Sequence, residues 1–517
     1  MMIINKFSIF FIFSLYLTLF LCSPVNAKEG HPKSISSLEQ TIVEQDKLLY
    51  DAIFNSQDEE YLKDLFEVDL EFYHDKGGLM FKSGEAFLNG WLRIWALQET
   101  GKKNWQRREL LSTEVYPLNN YGALQIGTHR FYETRPDGIE FAMDDAKFVH
   151  LWKVKDKKWK LARIVSYDHQ PITTPPLEIT EETVLKLKGW MQELNVPAVG
   201  IGLINDGKTT YSKVFGNQSE GVKASSNTIF KVASITKPVS ALVTLKMVDQ
   251  GLWDLDEPLA NYWTDPDVVN DPRNKKLTTR HVLNQLSGLP NWRFLTDSGK
   301  LNFLFDPGEK FEYSGEGFEY LKKAVEHKFS RPFESIAHKV LFNKAEMNNT
   351  KFWWDETVEQ SMYAENFNED GKQYKTEKYY KALAAGNILS TTDDYLKFGE
   401  HVLAGAGLEP ELFAEIQKPH SSMIDDLLTY GYGWMNLKLS NGNHVIYHDG
   451  RDPGVRTIII FIPSTNQGIV ILTNGDNGDL LYRKLLSELS PLTADFVSQF
   501  NKAVEIYLAR QKQSEHN

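Results

Sequence analysis

Apolar residues recur at helical spacing early in the chain. Leu38, Ile42, Leu49 and Ile53, flanked by Val43 and Phe54, predict an amphipathic helix. Further on the pattern changes to alternation. Phe148, His150, Trp152 and Val154 alternate, Asp156-Lys157 supplies a turn, and residues 159–165 return, which predicts a hairpin. A second series then begins with a helix over 180–194. Strands at 198–204 and 209–214 follow, joined by Asn205-Asp206-Gly207, a strong hairpin signal. Much later, residues 457–462 and 468–472 form another pair across Pro463-Ser464-Thr465-Asn466, and 480–510 read as largely helical. Helices followed by a meandering sheet make the first series an α+β unit. The second is α+β as well: strands at both ends of a long mixed insert predict one sheet completed by the two ends.

A chain of 517 residues is too long for one core, and two or three domains are expected. The division falls at Gln170-Pro171-Ile172-Thr173-Thr174-Pro175-Pro176, where the proline density fits an extended linker. The expected organisation is a signal peptide at 1–27, a first domain at 35–169, a linker at 170–178 and a second domain at 179–510. The signal peptide reading rests on Lys6, an apolar stretch over 7–21 and the small-residue site Val25-Asn26-Ala27. It implies export to a periplasmic or extracellular compartment, with Lys28 as the mature start. The single cysteine, Cys22, lies inside this segment, and the large Leu21 before it argues against lipid attachment. The mature chain then carries no disulfide and no thiolate chemistry.

Composition narrows the partners. A net charge of −12 argues against nucleic acid or an anionic membrane as the main partner. Beyond the first segment no stretch approaches a membrane span.

The candidate chemistry centres on Ser234-Ile235-Thr236-Lys237. No other serine here has a lysine three residues on. The flanking Phe230-Lys231-Val232-Ala233 and Pro238-Val239, with Ala241, Leu242 and Val243, place the pair on the first turn of a buried helix. Residues three apart share a helix face, so the lysine can take the proton of a serine hydroxyl that is a weak nucleophile unaided. Two motifs follow in order: Tyr313-Ser314-Gly315, preceded by Phe305-Asp306-Pro307-Gly308-Glu309, and His448-Asp449-Gly450, followed by Arg451-Asp452-Pro453-Gly454. Between and around them stand Leu286-Ser287-Gly288-Leu289-Pro290, Gly386-Asn387-Ile388-Leu389-Ser390-Thr391 and Tyr430-Gly431-Tyr432-Gly433-Trp434.

Taken together, these motifs resemble the serine-reactive family of class C β-lactamases, D-alanyl-D-alanine peptidases and related esterases. The resemblance implies a β-lactamase/DD-peptidase-like domain: an antiparallel sheet flanked by helices, plus a helical region. It implies that Ser234 attacks an acyl carbonyl, that Lys237 and Tyr313 share the base and acid roles, and that His448, Gly450 and Arg451 line the substrate and oxyanion side. No cofactor or metal is implied. The partner is a small-molecule or peptide-like acyl substrate. Two departures bear on which one. Antibiotic-hydrolysing members usually have asparagine where Gly315 stands and lysine where His448 stands. Glycine lacks the side-chain amide, and histidine is mostly neutral near pH 7. Both changes favour an ester or small amide over a β-lactam. D-alanyl-D-alanine carboxypeptidase or β-lactamase activity stays open, and so does a non-catalytic binding or sensing protein that keeps the fold.

In the first domain, Glu71-Phe72-Tyr73-His74-Asp75, Gly127-Thr128-His129-Arg130-Phe131 and Ser166-Tyr167-Asp168-His169 resemble the NTF2-like superfamily. That likeness implies a cone-shaped curved antiparallel sheet with helices, and a route to a homo-oligomer or a bound ligand. Tyr73, His74, Asp75, His129, Asp168 and His169 form a polar set, read as a hydrogen-bonded cluster rather than a metal site.

Overall fold

A computed structural model describes residues 37–134, 140–172 and 175–514. The expected signal peptide, with Cys22, lies outside them. The chain divides at Pro175 into two compact units.

The first unit opens with helices α1 (Ser37–Phe54) and α2 (Glu59–Leu65) and strands β1 (Phe66–His74) and β2 (Gly78–Phe81). Helix α3 (Gly84–Glu99) follows, then β3 (Trp105–Leu118), β4 (Gly122–Thr134), β5 (Glu140–Lys155) and β6 (Lys158–Pro171). Helix α1 buries Ile42, Leu49, Ile53 and Phe54, the face its spacing predicts. Asp58 caps α2 and Ser83 caps α3, each side chain accepting a backbone N–H two or three residues into its helix. The six strands form one sheet in the order β2-β1-β6-β5-β4-β3, in which β1 and β6 run parallel and the other neighbours antiparallel. Asp156 (φ 51°) and Lys157 (φ 64°) are both left-handed, as a two-residue turn between twisted strands demands. Phe148, His150 and Trp152 point to the buried face. Gln170 and Pro171, expected in the linker, complete β6 instead, paired with Asp145 and Asp144.

Near the start of the second unit Leu177 is buried, and its backbone bonds the Asn205 side chain in both directions (2.8 and 3.0 Å). Helix α4 (Glu181–Glu193), capped by Thr180, precedes β7 (Ala198–Asn205), β8 (Lys208–Ser219), β9 (Val222–Lys223) and β10 (Phe230–Lys231). The insert carries α5 (Thr236–Asp249), α6 (Thr279–Leu283), α7 (Gly315–Phe329), α8 (Phe333–Ala337), β11 (Leu389–Ser390), α9 (Thr392–Leu403) and α10 (Pro410–Ala414). Strands β12 (Ser421–Ile424), β13 (Leu428–Gly431), β14 (Trp434–Lys438), β15 (His444–Asp452), β16 (Val455–Ile462) and β17 (Gln467–Thr473) follow, then α11 (Gly478–Leu489) and α12 (Pro491–Ser514).

The large sheet has nine strands in the order β12-β13-β14-β15-β16-β17-β7-β8-β9. Its first and last long segments meet where β17 pairs with β7, from Thr473 opposite Val199 to Gly468 opposite Ile204. Both faces of these strands are covered, which explains their unbroken apolar runs. On one face Val199, Ile201, Leu203, Ile458, Ile460, Ile469 and Ile471 pack with Leu187 of α4, Leu485 of α11 and Phe496 of α12. On the other, Gly200 and Gly202 lie under Thr392 and Leu396 of α9. Full burial of each branched side chain contributes about 1.5–3 kcal/mol relative to exposure. Among the described residues, no helix is long and apolar enough to cross a membrane.

Candidate active site

Ser234 lies in a 3₁₀ turn (Ala233–Ile235) that feeds α5, two positions ahead of the α-helix where its spacing predicted it. Ala233 just before it is left-handed (φ 52°), an uncommon conformation for a residue with a Cβ. The turn is held from several sides. Thr457 of β16 donates to the Val232 carbonyl (2.7 Å), the Val232 N–H donates to Ile388 (3.1 Å), and Thr236 Oγ1 donates to Ala233 (2.7 Å). Ser234 caps nothing; its hydroxyl faces Lys237.

Lys237 Nζ stands 3.0 Å from Ser234 Oγ and 2.9 Å from the Ala385 carbonyl oxygen. The lysine is completely buried. It packs over the Tyr313 ring at 4.7 Å and near the Phe318 ring at 5.9 Å. Burial pulls its pKa down to about 7, against the opposing charges of Glu319 and Asp449. An ammonium here loses most of its hydration and keeps few acceptors, so the neutral amine is accessible near neutral pH.

Tyr313 stands just before α7 and is the third member. Burial and the neighbouring Tyr430 push its phenol well above the ordinary value, opposed by a hydrogen bond with Ser234. Between a lysine lowered to about 7 and a tyrosine raised above its usual range, the lysine is the group that gives up its proton first. Sequence motifs far apart thus meet: Ser234, Lys237 and Tyr313 form one cluster.

His448 on β15 is fully buried. Its Nδ1 lies 2.7 Å from the Asp449 carbonyl oxygen; a carbonyl only accepts, so Nδ1 carries the hydrogen. That leaves Nε2 as an acceptor toward the Tyr430 hydroxyl at 3.4 Å. Burial, and then the nearby Lys237, lower its pKa to about 3. His448 is therefore a neutral wall residue, its ring 6.2 Å from that of Tyr313. Gly450 lies against the serine turn: a methyl group there would sit 2.4 Å from the Val232 oxygen and 3.1 Å from the Ser234 nitrogen. The Arg451 side chain pairs with Asp479 of α11 at 3.0 Å.

Gly315 has a steric reason. A side chain there would meet the Trp292 indole at 2.8 Å and the Asn291 carbonyl at 3.1 Å. Asn291 Oδ1 also accepts the Gly315 N–H at 3.0 Å. The loop after the Leu286-Ser287-Gly288-Leu289-Pro290 signature has taken the space an asparagine would need.

Three participants escaped sequence reasoning. Gln285, buried and left-handed (φ 56°), accepts the Ser314 N–H at 2.7 Å and reaches the Tyr430 hydroxyl at 3.5 Å. Its place directly before the Leu286 signature was the available signal. Asn291 and Glu319 carried none, because their roles depend on loops brought together from afar.

The polar set of the first unit separates into four groups. Asp75 accepts from the His169 backbone (3.0 Å) and imidazole (2.8 Å) and lies 3.1 Å from His74 Nδ1. The His169 backbone N–H, ahead of its imidazole, holds the Asp75 carboxyl down to about 2. The His74 and His169 rings stack at 4.2 Å with planes 16° apart. One ligand atom from each of His74, Asp75 and His169 lies within 4.8 Å of the others, an arrangement that could hold a metal ion. Hydrogen bonds to Asp75 join the trio. Asp168 instead pairs with Lys147 at 2.8 Å, and Tyr73 donates to Glu71 at 2.9 Å. His129 is buried and accepts from Arg108 at 3.1 Å. Arg108 in turn pairs with the buried Asp46, which also contacts His150 at 3.4 Å.

Several known proteins are similar to this chain. Protein flp of Staphylococcus aureus is 22% identical over 349 residues, covering 60% of this chain and 68% of that protein. The octameric penicillin-binding protein homologue from Pyrococcus abyssi superposes with a TM-score of 0.52 at 22% identity, over 60% of this chain and 80% of that one. The penicillin-binding protein from Bacillus halodurans gives 0.50 at 21% identity, over 59% and 98%. These two structures share the fold. The β-lactamase family itself matches residues 186–487, a span that holds Ser234, Lys237, Tyr313 and His448. With more than half of its length inside that match, the chain belongs to the β-lactamase family.

Proposed function

We propose that the protein is an exported serine hydrolase that transfers an acyl group from an ester or small amide to Ser234 and then to water. The observation that carries this reading is the 3.0 Å approach of a wholly buried Lys237, lowered to about pH 7, to the Ser234 hydroxyl. Neutral Lys237 takes the hydroxyl proton as Oγ bonds to the acyl carbon. The oxyanion faces the backbone N–H groups of Ser234 and Arg451, a donor pair whose loss of one member costs about 10²–10³ in rate. Tyr313 passes a proton to the leaving group and is reprotonated from the Lys237 ammonium. The same groups then activate water to release the acid. Proton ownership belongs to the coupled pair.

The substrate preference rests on Gly315 and His448. The first is filled over by Trp292, and the second is neutral and buried, so neither supplies the amide and cation that suit a β-lactam. We read the N-terminal unit as an NTF2-like domain that binds a ligand or a second copy of the chain, and residues 1–27 as its export signal. The test is covalent labelling with a fluorophosphonate and intact mass. One adduct on wild type and none on Ser234→Ala is the expected outcome, with turnover of a p-nitrophenyl ester exceeding that of a chromogenic cephalosporin. No adduct on folded wild type, or cephalosporin turnover without ester turnover, overturns the reading.

A further inference from the structure

The acyl-transfer scheme leaves the Glu319 carboxylate beside the site unused. Glu319 lies on α7, six residues beyond Tyr313. Its Oε1 accepts the Ala385 N–H at 3.1 Å, while the carbonyl of the same residue accepts from Lys237 Nζ at 2.9 Å. Its Oε2 pairs with Lys322 at 2.8 Å, both side chains largely buried. Lys322 also reaches the Ala382 carbonyl at 2.5 Å, and Ser240 of α5 holds Ala384 at 2.7 Å. The segment that presents the Ala385 carbonyl is thus tied down at three successive points, one of them an anion.

We propose that Glu319 is a positioning residue for the lysine base: through the Ala385 peptide it fixes where Lys237 Nζ points, and through its charge it sets the pH at which Lys237 becomes a base. This rests on reading Ser234 and Lys237 as nucleophile and base. A peptide whose N–H is bonded to a carboxylate is polarised, and its carbonyl becomes a stronger acceptor. The same carboxylate favours the ammonium form of Lys237 against the desolvation that disfavours it. Lys237 is faced by Glu319 and its partner Lys322 from α7, by Asp449 and His448 from β15, and by Tyr313 and Ser234. Of these, Glu319 and Asp449 oppose its loss of charge, and His448 is neutral. Burial raises the Glu319 pKa itself, and the Lys322 ammonium opposes that rise.

The experiment is the pH dependence of the fluorophosphonate inactivation rate, which rises as Lys237 loses its proton. In Glu319→Gln the amide oxygen still accepts from Ala385 but the charge is gone. The midpoint then moves to lower pH by about one unit, with the plateau retained. In Glu319→Ala the midpoint moves likewise and the plateau falls about tenfold or more, because the carbonyl is no longer held. The double variant Glu319→Gln, Lys322→Met removes the stranded lysine charge and guards against misfolding, which thermal melting monitors. It shows the same acid shift. A midpoint unchanged in both Gln variants, with wild type reactive, overturns the role of Glu319 alone. A wild type inert at every pH overturns the acyl-transfer reading beneath it as well.

Discussion

Gly450 and Ser234 touch backbone to backbone: no carbon atom fits between the glycine Cα and the serine nitrogen without displacing the Val232 carbonyl, 2.4 Å from where it would lie. The strand β15 therefore serves as the ruler that sets the depth of Ser234. Gly450→Ala is expected to push the turn away from the strand, lowering the fluorophosphonate labelling rate about 10²–10³-fold. Overpacking there costs about 1–3 kcal/mol of stability. Labelling at the wild-type rate counts against this use of the strand.

Lys237 makes a joint forecast for rate and stability. Its pKa falls from 10.5 to about 7 on folding, so between those values the unfolded chain binds more protons than the native one. Stability from this group therefore grows as pH rises from about 7 toward 10.5, and the acylation rate rises through about pH 7. Lys237→Met removes the buried amine; it abolishes labelling and raises stability at pH 7 by about 0.5–2 kcal/mol. A denaturant midpoint below that of wild type would contradict the desolvation argument.

Restoring the usual motif residues is expected to fail as a gain of function. Gly315→Asn drives a side chain into Trp292 and costs about 1–3 kcal/mol. His448→Lys introduces a cation into a wholly buried position already beside Lys237. Neither variant gains chromogenic cephalosporin turnover above wild type. Turnover gained by Gly315→Asn with unchanged melting would show that Trp292 yields.

The first unit carries its own acid sensitivity. His129, lowered from 6.5 to about 2, and His150, also lowered, are buried neutral, so each loses stability as pH falls below about 6.5 while the unfolded chain protonates. The Asp46 carboxyl is held below its ordinary value; its contribution persists above pH 3.8 and is lost as pH falls through the lower folded value. Protection factors of the β4 and β5 amides, corrected for intrinsic exchange, should therefore fall between pH 7 and 5, and Asp46→Ala should cost about 3–5 kcal/mol by stranding Arg108. Equal protection at both pH values would refute it.

Much of this was readable before any coordinates. Period and turn chemistry located α1, the β5–β6 hairpin and the β7–β8 hairpin, because those are local rules. The Ser-x-x-Lys spacing put Lys237 within reach of Ser234. What spacing alone missed was the left-handed Ala233, which moves Ser234 into a 3₁₀ turn ahead of the helix. Gly315 looked like a bare loss of an amide; only the Asn291–Trp292 loop, folded back from 24 residues upstream, shows why glycine is required there. Glu319 looked like any charged helix residue. Its partner Ala385 is 66 residues away, and nothing in the sequence pairs the two.

The pairing of β7 with β17 sets a timetable. Val199 and Thr473 are neighbours in the sheet, and the turn bearing Ser234 is pinned by Thr457 of β16, the strand on the far side of β17. During synthesis the nucleophile leaves the ribosome more than two hundred residues before the strands that seat it. Closing so long a loop is slow and comes late in folding. The nascent protein thus carries its serine and lysine unarmed, and the dry pocket that lowers Lys237 closes only when the final strands dock. On the acyl-transfer reading proposed above, the timing of assembly keeps the Ser234 hydroxyl unactivated until those strands are in place.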